Sequence, residues 1–365
     1  MNSNVFHGFL KAPFISVFTL SLLTSCGGGN GDVSPSIQPE PIISNTPETE
    51  DKEEPETKLL FINKTTELGL NHQWDLIDLP ELSALDYSLY NSIGGIALGD
   101  YDQDGDIDIY LTAGNKSSSK LFQKQADGSY IDVANDAGVM LEGFYSGPSF
   151  ADIDNDGDLD LFVGGIGTGL KSTRSKLFIN EGNGHFVEGQ APSISKEYTV
   201  SSSFSDFNYD GFIDLAVSHY ASSLGGDSEH LWINLDGLNF ESISSRNGLA
   251  QSALNGTNNL FSLDLTFTPS FGDINNNGKI DLLMLSDFET TSLLLSTGDT
   301  DFIDFSEHTS NLNLKTDDVH GMGGTLADID NDGDLDIFIT SIIEVNAKSG
   351  TLHYSGNKLL INNKN

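Results

Sequence analysis

The nine residues DIDNDGDLD fill positions 152–160 and return unchanged at 328–336. Three more stretches share the same plan: DYDQDGDID at 100–108, DFNYDGFID at 206–214 and DINNNGKID at 273–281. Counted between first aspartates, the copies are spaced by 52, 54, 67 and 55 residues, a period of one supersecondary repeat. After each copy comes a short segment of strand length and composition, IYLTA, LFVGG, LAVSH, LLMLS or IFITS. The repeated loop therefore sits in a turn between strands, which predicts an all-β chain built from five units.

Within every copy the first, third and fifth positions carry Asp or Asn, the sixth is Gly and the ninth is Asp. A hard cation with six to eight oxygen ligands needs this order: short oxygen side chains from alternate residues, a sharp glycine turn, a backbone carbonyl at position seven and a closing carboxylate. The chemistry points to calcium. In the first loop the expected ligands are Asp100, Asp102, Asp104 and Asp108, with the carbonyl of Asp106. The second offers Asp152, Asp154, Asp156 and Asp160 with the carbonyl of Asp158, and the fifth offers Asp328, Asp330, Asp332 and Asp336 with that of Asp334. The third has Asp206, Asn208, Asp210 and Asp214 with the carbonyl of Phe212; the fourth has Asp273, Asn275, Asn277 and Asp281 with that of Lys279. Up to five ions are expected, and the Asp273 loop should bind most weakly, because an amide keeps the geometry of a ligand without its charge. Asp, Asn and Gly also dominate ordinary tight turns, but five copies in register favour metal. An EF-hand is excluded by the missing flanking helices and the missing Glu at position twelve.

The chain holds 54 acidic against 17 basic side chains, a formal charge of −37. Bound calcium would offset part of that charge, and no basic footprint for nucleic acid is present. Residues 1–25 read as a signal peptide, with an apolar run from Ala12 to Leu23 and then Leu23-Thr24-Ser25-Cys26, which resembles a bacterial lipobox. Cys26, the only cysteine, is then the lipidated residue that holds the protein on a membrane. A twelve-residue run is short for a membrane span. Residues 26–58, rich in Gly, Pro, Ser, Thr and Glu, read as a disordered tether. The expected location is the bacterial cell envelope, on the outer membrane, because Gly27 rather than Asp comes after the cysteine.

The folded part is expected at 59–365. Small residues precede each loop (GGIALGD, GPSFAD, SSSFSD, TPSFGD, MGGTLAD), and SKLFQ, SKLFIN, EHLWIN, TSLLLS and NKLLIN lie downstream. A fourth segment is present in four units, at 129–134, 185–189, 239–244 and 301–306. Four strands per unit predict a β-propeller of five blades, or six or seven if degenerate blades lie in 66–92 or 245–264. The last unit ends without its fourth strand. Phe61-Ile62-Asn63-Lys64-Thr65, followed by Glu67-Leu68-Gly69-Leu70, matches Tyr130–Ala134 followed by Asp136–Val139. The N-terminal strand is thus expected to join the C-terminal blade and close the ring.

The loops after small apolar strands, and the KLFIN…F-x-D segments between them, resemble FG-GAP/VCBS repeats such as those of the integrin α-subunit propeller. With His320-Gly321-Met322-Gly323 before the fifth loop, the chain looks closest to the cartilage-acidic-protein branch, without its ASPIC/UnbV segment. The resemblance implies calcium in the loops and roles in adhesion or recognition; it names no ligand.

Loops joining strands one to two and three to four share one blade end. The longer connections at 66–92, 164–175, 218–229, 245–264 and 341–356 are therefore expected on the opposite face, where a protein or glycan ligand would bind. Trp74, Tyr87, Tyr90, Tyr220 and Tyr354 are the aromatic candidates there, although plain packing explains each of them as well. No enzyme is expected: no zinc-spaced histidine pair or nucleophile elbow is found, and His219, His230 and His320 read as structural. GGIGTG at 164–169 lacks the Lys and Ser or Thr of a phosphate loop and reads as a connector. The function expected is a membrane-tethered, monomeric recognition or adhesion module; the alternative is a polysaccharide lyase or hydrolase on a propeller scaffold.

Overall fold

The computed structural model describes residues 62–74, 94–114, 116–166, 173–192, 194, 198–223, 230–244, 263–286, 291–296, 305–307, 321–341, 343–345, 352–354 and 356–363. The expected signal peptide, Cys26 and the tether lie outside these residues, as do Phe61, Tyr87, Tyr90 and His320. Among the described residues the chain is all-β, in antiparallel sheets of propeller-like blades.

Unit one runs β1 (Ile96–Gly99), β2 (Asp108–Leu111), β3 (Lys120–Lys124) and β4 (Tyr130–Asp132), paired in chain order. Unit two repeats this with β5 (Tyr145–Ala151), β6 (Asp160–Gly165), β7 (Lys176–Asn180) and β8 (Phe186–Glu188). Unit three holds β9 (Thr199–Ser205), β10 (Asp214–Ser223), β11 (Leu231–Asn234) and β12 (Phe240–Ser242); unit four holds β13 (Leu263–Gly272), β14 (Asp281–Ser286), β15 (Ser292–Ser296) and β16 (Phe305–Glu307). Unit five has β17 (Gly321–Ala327) and β18 (Asp336–Ser341), then a separate hairpin of β19 (Ile343–Val345) and β20 (Leu352–Tyr354), and finally β21 (Lys358–Leu360) against β18. In each unit the last residue of the first strand pairs with the closing aspartate, as Gly99 does with Asp108 and Gly272 with Asp281.

The second strand of each unit explains why its sequence does not alternate. β6 and β14 are buried along their whole length, because each lies mid-sheet with another sheet over either face. Leu161 and Val163 turn to unit one, joining Tyr110 and Leu121. Phe162, between them, turns to unit three and meets Leu215, Val217 and Trp232. Leu282 and Met284 pack with Ala216 and Leu231 of unit three, whereas Leu283 and Leu285 pack with Ile337 and Ile339 of unit five. Strand period two thus feeds two inter-sheet cores at once.

First strands of consecutive units pass close to one another, which small residues permit. A Cβ on Gly147, whose φ is +51°, would lie 2.6 Å from Cα of Ser201. A second staple is polar. Asn234 Nδ2, from unit three, donates to the carbonyl of Ile153 in unit two at 2.8 Å and to Ile213 at 3.2 Å. Asn180 does the same for Tyr101, and Asn362 for Ile274.

Three connections differ from the sequence reading. The 218–229 stretch begins as strand: β10 continues to Ser223 and pairs with β13 through Tyr220↔Leu265 and Ser223↔Leu263, joining units three and four. The 341–356 stretch carries the β19–β20 hairpin. Gly164 and Gly165 of the expected connector end β6 instead, where a Cβ on Gly165 would lie 2.3 Å from the Thr173 carbonyl.

The matched N-terminal pattern has a structural counterpart. Leu68 N–H donates to Lys64 O and Leu70 N–H to Thr65 O, as Ala137 does to Val133 and Val139 to Ala134. Each turn then receives the N–H of the next unit's outer strand: Tyr130 donates to Leu68 O, and Phe186 to Ala137 O, 2.7 and 2.8 Å. Residues 64–70 hence stand to unit one as 133–139 stand to unit two. Among the described residues no ladder joins unit five to unit one, and β21 pairs with β18 alone. Ile96 and Leu98 of β1 are exposed, as is Ile329, whose counterparts Ile153 and Ile274 are buried under the following unit.

Replacing Asn234 with Ala should remove the donor from the buried carbonyl of Ile153 and the part-buried one of Ile213. A loss of about 1–3 kcal/mol is expected, read as a lower urea midpoint with an unchanged m-value.

Candidate metal centres

The loops between first and second strands fold by hydrogen bonds that their own spacing dictates. The leading carboxylate accepts the N–H of the sixth residue: Asp100 from Gly105 at 3.0 Å, Asp206 from Gly211 at 3.0 Å and Asp273 from Gly278 at 2.8 Å. The fifth residue accepts the N–H of the seventh, as Asp156 does from Asp158 at 2.9 Å and Asp332 from Asp334 at 3.0 Å. Position six has φ between +80° and +96° in all five loops, which glycine alone adopts freely. Position four is left-handed as well: Gln103, Asn155, Tyr209, Asn276 and Asn331 are the non-glycine residues with positive φ among those described. Such a backbone costs of order 1–3 kcal/mol, and five copies of it mark one loop design.

The ninth residue opens the second strand, and its carboxylate ties the unit together. Asp160 Oδ2 accepts the N–H of Ile153 at 2.9 Å while Oδ1 accepts that of Asn180, at the end of the third strand, at 2.8 Å. Asp214 holds Phe207 and Asn234 in this way, Asp281 holds Ile274 and Ser296, and Asp336 holds Ile329 and Asn362. In loop one Asp108 Oδ1 accepts Lys124 N–H at 2.8 Å, but Oδ2 is buried and makes no hydrogen bond of normal geometry.

Three loops bring carboxylates together closely enough for a shared cation. Oxygens of Asp100, Asp102 and Asp108 lie within 4.8 Å of one another, as do those of Asp152, Asp154 and Asp160, and those of Asp328, Asp330 and Asp332. These clusters fit a hard divalent ion by donor type. Asp108 is fully buried, and both its Oδ2 and the buried Oδ1 of Asp152 lack a hydrogen-bond donor; an unbalanced acceptor of that kind suits a cation. Loops three and four bring fewer carboxylates together, for Asn208 replaces one acid and Asn275 and Asn277 replace two. Asn208 Nδ2 donates to Asp210 Oδ2 at 2.8 Å.

The side chains at position seven turn away from their own loops. Asp106 pairs with Lys124 Nζ at 2.5 Å, Asp158 accepts from Gln103, and Asp334 accepts from Asn276. That leaves the backbone carbonyl as the donor this position offers, as the spacing predicts for Asp106, Asp158, Phe212, Lys279 and Asp334. Sequence reasoning passed over the position-four residues, Gln123, whose Nε2 donates to Asp102 Oδ2, and the stapling asparagines. The last had a visible signal, because SKLFIN, EHLWIN and NKLLI-N each end on that Asn.

Of the aromatic candidates, Tyr220 lies 4.2 Å, centroid to centroid, from the Phe267 ring and is half-buried. Trp74 is half-buried beside Gly94. The side chain of Tyr354 lies outside the described residues. His219 and His230 are buried with ring centroids 5.2 Å apart, and His230 Nδ1 contacts Val217 O at 2.9 Å.

Residues 100–163 and 273–339 match the family profile of the FG-GAP-like repeat. These two stretches are FG-GAP-like repeats. Each matched stretch begins on the leading aspartate of a loop and ends in a second strand, β6 or β18. No curated protein sequence matches. Among solved structures this chain is similar to an Agrocybe aegerita lectin with specific recognition of non-reducing terminal N-acetylglucosamine. The two are 15% identical, with 74% of this chain and 67% of that chain covered and a TM-score of 0.39. It is also similar to the V. cholerae biofilm matrix protein Bap1, at 14% identity and a TM-score of 0.30, covering 64% of this chain and 41% of that one. Neither likeness bears on what this chain binds.

Burial dominates the acidity of the closing aspartates. It pushes Asp108 up to about 6 and both Asp160 and Asp214 up to about 7, against the opposing effect of their backbone N–H donors. Asp281 is raised for the same reason, whereas the N–H groups of Asn362 and Ile329 hold Asp336 below the usual range. A carboxyl with a raised folded pKa binds its proton more tightly in the native state, so stability falls as pH rises from the unfolded to the folded value. Without divalent metal, the melting temperature should therefore drop between about pH 4 and pH 7. Calcium, which favours the ionised carboxylates, should remove that drop; melts across this pH range with chelator and with calcium check both slopes.

Proposed function

We propose that this protein is a calcium-stiffened recognition or adhesion module, held on the envelope of a bacterium by a lipid on Cys26. The observation that carries the calcium reading is the triplet of converging carboxylates in loops one, two and five, beside buried oxygens with no donor. Asp100, Asp102, Asp104 and Asp108, and their equivalents in the other loops, would hold the ion with the position-seven carbonyls. Bound calcium supplies positive charge that offsets the repulsion of clustered carboxylates and locks the loop between two strands. Loop four, where Asn275, Asn277 and Lys279 stand, would fill last.

A rigid set of blades suits recognition because loops at the end away from the metal can vary without disturbing the cores. Protein or glycan is the ligand class proposed for that end. The lipobox-like Leu23-Thr24-Ser25-Cys26 and the acidic tether support a module that stands off an outer membrane. No nucleic-acid partner is proposed for a chain of charge −37.

Thermal melts of the mature chain with calcium and with chelator, with bound metal measured in parallel, test the reading. One ion per filled loop and a large loss of stability on chelation are expected. Absence of bound metal together with an unchanged melt would overturn the calcium assignment. Separately, Cys26→Ser should move the protein from the membrane fraction to the soluble fraction; unchanged fractionation would remove the anchor from the proposal.

A further inference from the structure

In loops one to four the fourth residue reaches into the next loop. Gln103 Nε2 of loop one donates to the carbonyl of Gly157 in loop two at 2.8 Å and also to Asp158. Asn155 Nδ2 of loop two donates to the carbonyl of Gly211 in loop three at 2.7 Å. Tyr209 Oη of loop three reaches loop four, accepting the N–H of Ile280 at 2.6 Å and lying 3.3 Å from the carbonyl of Gly278. Asn276 Nδ2 of loop four donates to Asp334 of loop five. Four different side-chain settings thus make the same connection, always forward, and always onto positions six to eight of the next loop.

Those contacted positions adjoin the seventh-position carbonyl, the backbone group that the calcium reading assigns to the ion. The donor sits between ligand positions three and five, with φ between +56° and +61°. A cation that draws positions three and five together also fixes the backbone at position four, and with it the direction of the forward-reaching side chain. Part of the ordering that the next loop must undergo is then already complete before its own ion arrives. We infer that the position-four side chains couple the loops in series, so that filling one raises the affinity of the next. By linkage the effect is reciprocal: an ion in loop three raises the affinity of loop two by the same factor. This coupling rests on the calcium reading, and it adds something that reading does not require, since five independent sites would stiffen the scaffold equally well.

Asn331 supplies an internal control. It has the same left-handed backbone, φ +60°, in loop five, and no hydrogen bond to another loop is present for it among the described residues. Gly is the suitable replacement at both positions, because it accepts positive φ while removing the side chain.

The test is a calcium titration of the metal-depleted full chain by calorimetry, comparing the parent with Asn155→Gly and Asn331→Gly. The parent should saturate cooperatively, with a Hill coefficient above one. Asn155→Gly should flatten the transition and weaken half-saturation by about fivefold, the lower end of ordinary coupling between sites. Asn331→Gly should keep the parent's steepness. Equal curves for the two variants, or a parent that binds calcium without cooperativity, would overturn the coupling and leave the calcium sites standing. A parent that binds no calcium would overturn both. A second variant, Gln103→Gly, breaks the first link and should reproduce the flattened curve; full cooperativity in that variant would also count against the coupling.

Discussion

A carboxylate buried at the start of each second strand holds this architecture together. Through Asp108, Asp160, Asp214, Asp281 and Asp336 the loop is fastened to the end of the third strand by backbone N–H donors on that strand. Desolvating an acid is costly, and the cost is met by hydrogen bonds to N–H groups that would otherwise be orphaned where the first strand turns into the loop. In units two to five the other oxygen also fixes the second residue of the loop, and in three of them, at Ile153, Phe207 and Ile274, that side chain is buried in the next inter-blade core. One acid therefore sets the loop, the register of three strands and the docking of the neighbouring unit.

Metal chemistry and packing are for this reason not separable here. The residues that converge as a cation site include the acids that the fold has already immobilised, as Asp108 and Asp160 do in loops one and two. A hard ion favours oxygen donors that need little rearrangement, and a carboxylate tied to the backbone, by one donor at Asp108 and two at Asp160, has lost much of its rotational freedom before any ion binds. Loop five departs from this, since its convergent triplet is Asp328, Asp330 and Asp332 and leaves Asp336 to its structural role.

Much of this was legible in the sequence because the determinants are local. Nine consecutive residues specify each loop, and strand period two specifies the segment after it, so the five units, their first, second and third strands, and the acids that converge could all be read directly. The features that escaped a sequence reading depend on contacts between units. The continuation of β10 to Ser223 reads as a polar connector, SHYASS, until its pairing with β13 across the unit boundary is seen. Hairpin β19–β20 lies in a stretch, EVNAKSGTLHY, with weak strand patterning. Gln103, Asn155 and Asn276 are carboxamides and Tyr209 is a phenol, polar types that turns accommodate, so their type at position four does not announce a contact; what joins them is a backbone angle and the loop next door. Ring closure through the N-terminal strand depends in the same way on pairing between the ends, and the described ladders stop at β21.

The stapling asparagines carry a consequence for biosynthesis. Asn180 completes the loop of unit one, Asn234 that of unit two and Asn362 that of unit four; each donor is encoded some eighty residues after its acceptor. As an exported chain emerges N-terminus first, units one, two and four each have a bare carbonyl and one uncovered sheet face until the next unit follows. Folding is thereby biased to run from the N-terminal units onward, each acting as the template on which the next is laid. A pause in that emergence would leave an end that is sticky rather than inert, so these units depend on the timing of their arrival as well as on their composition.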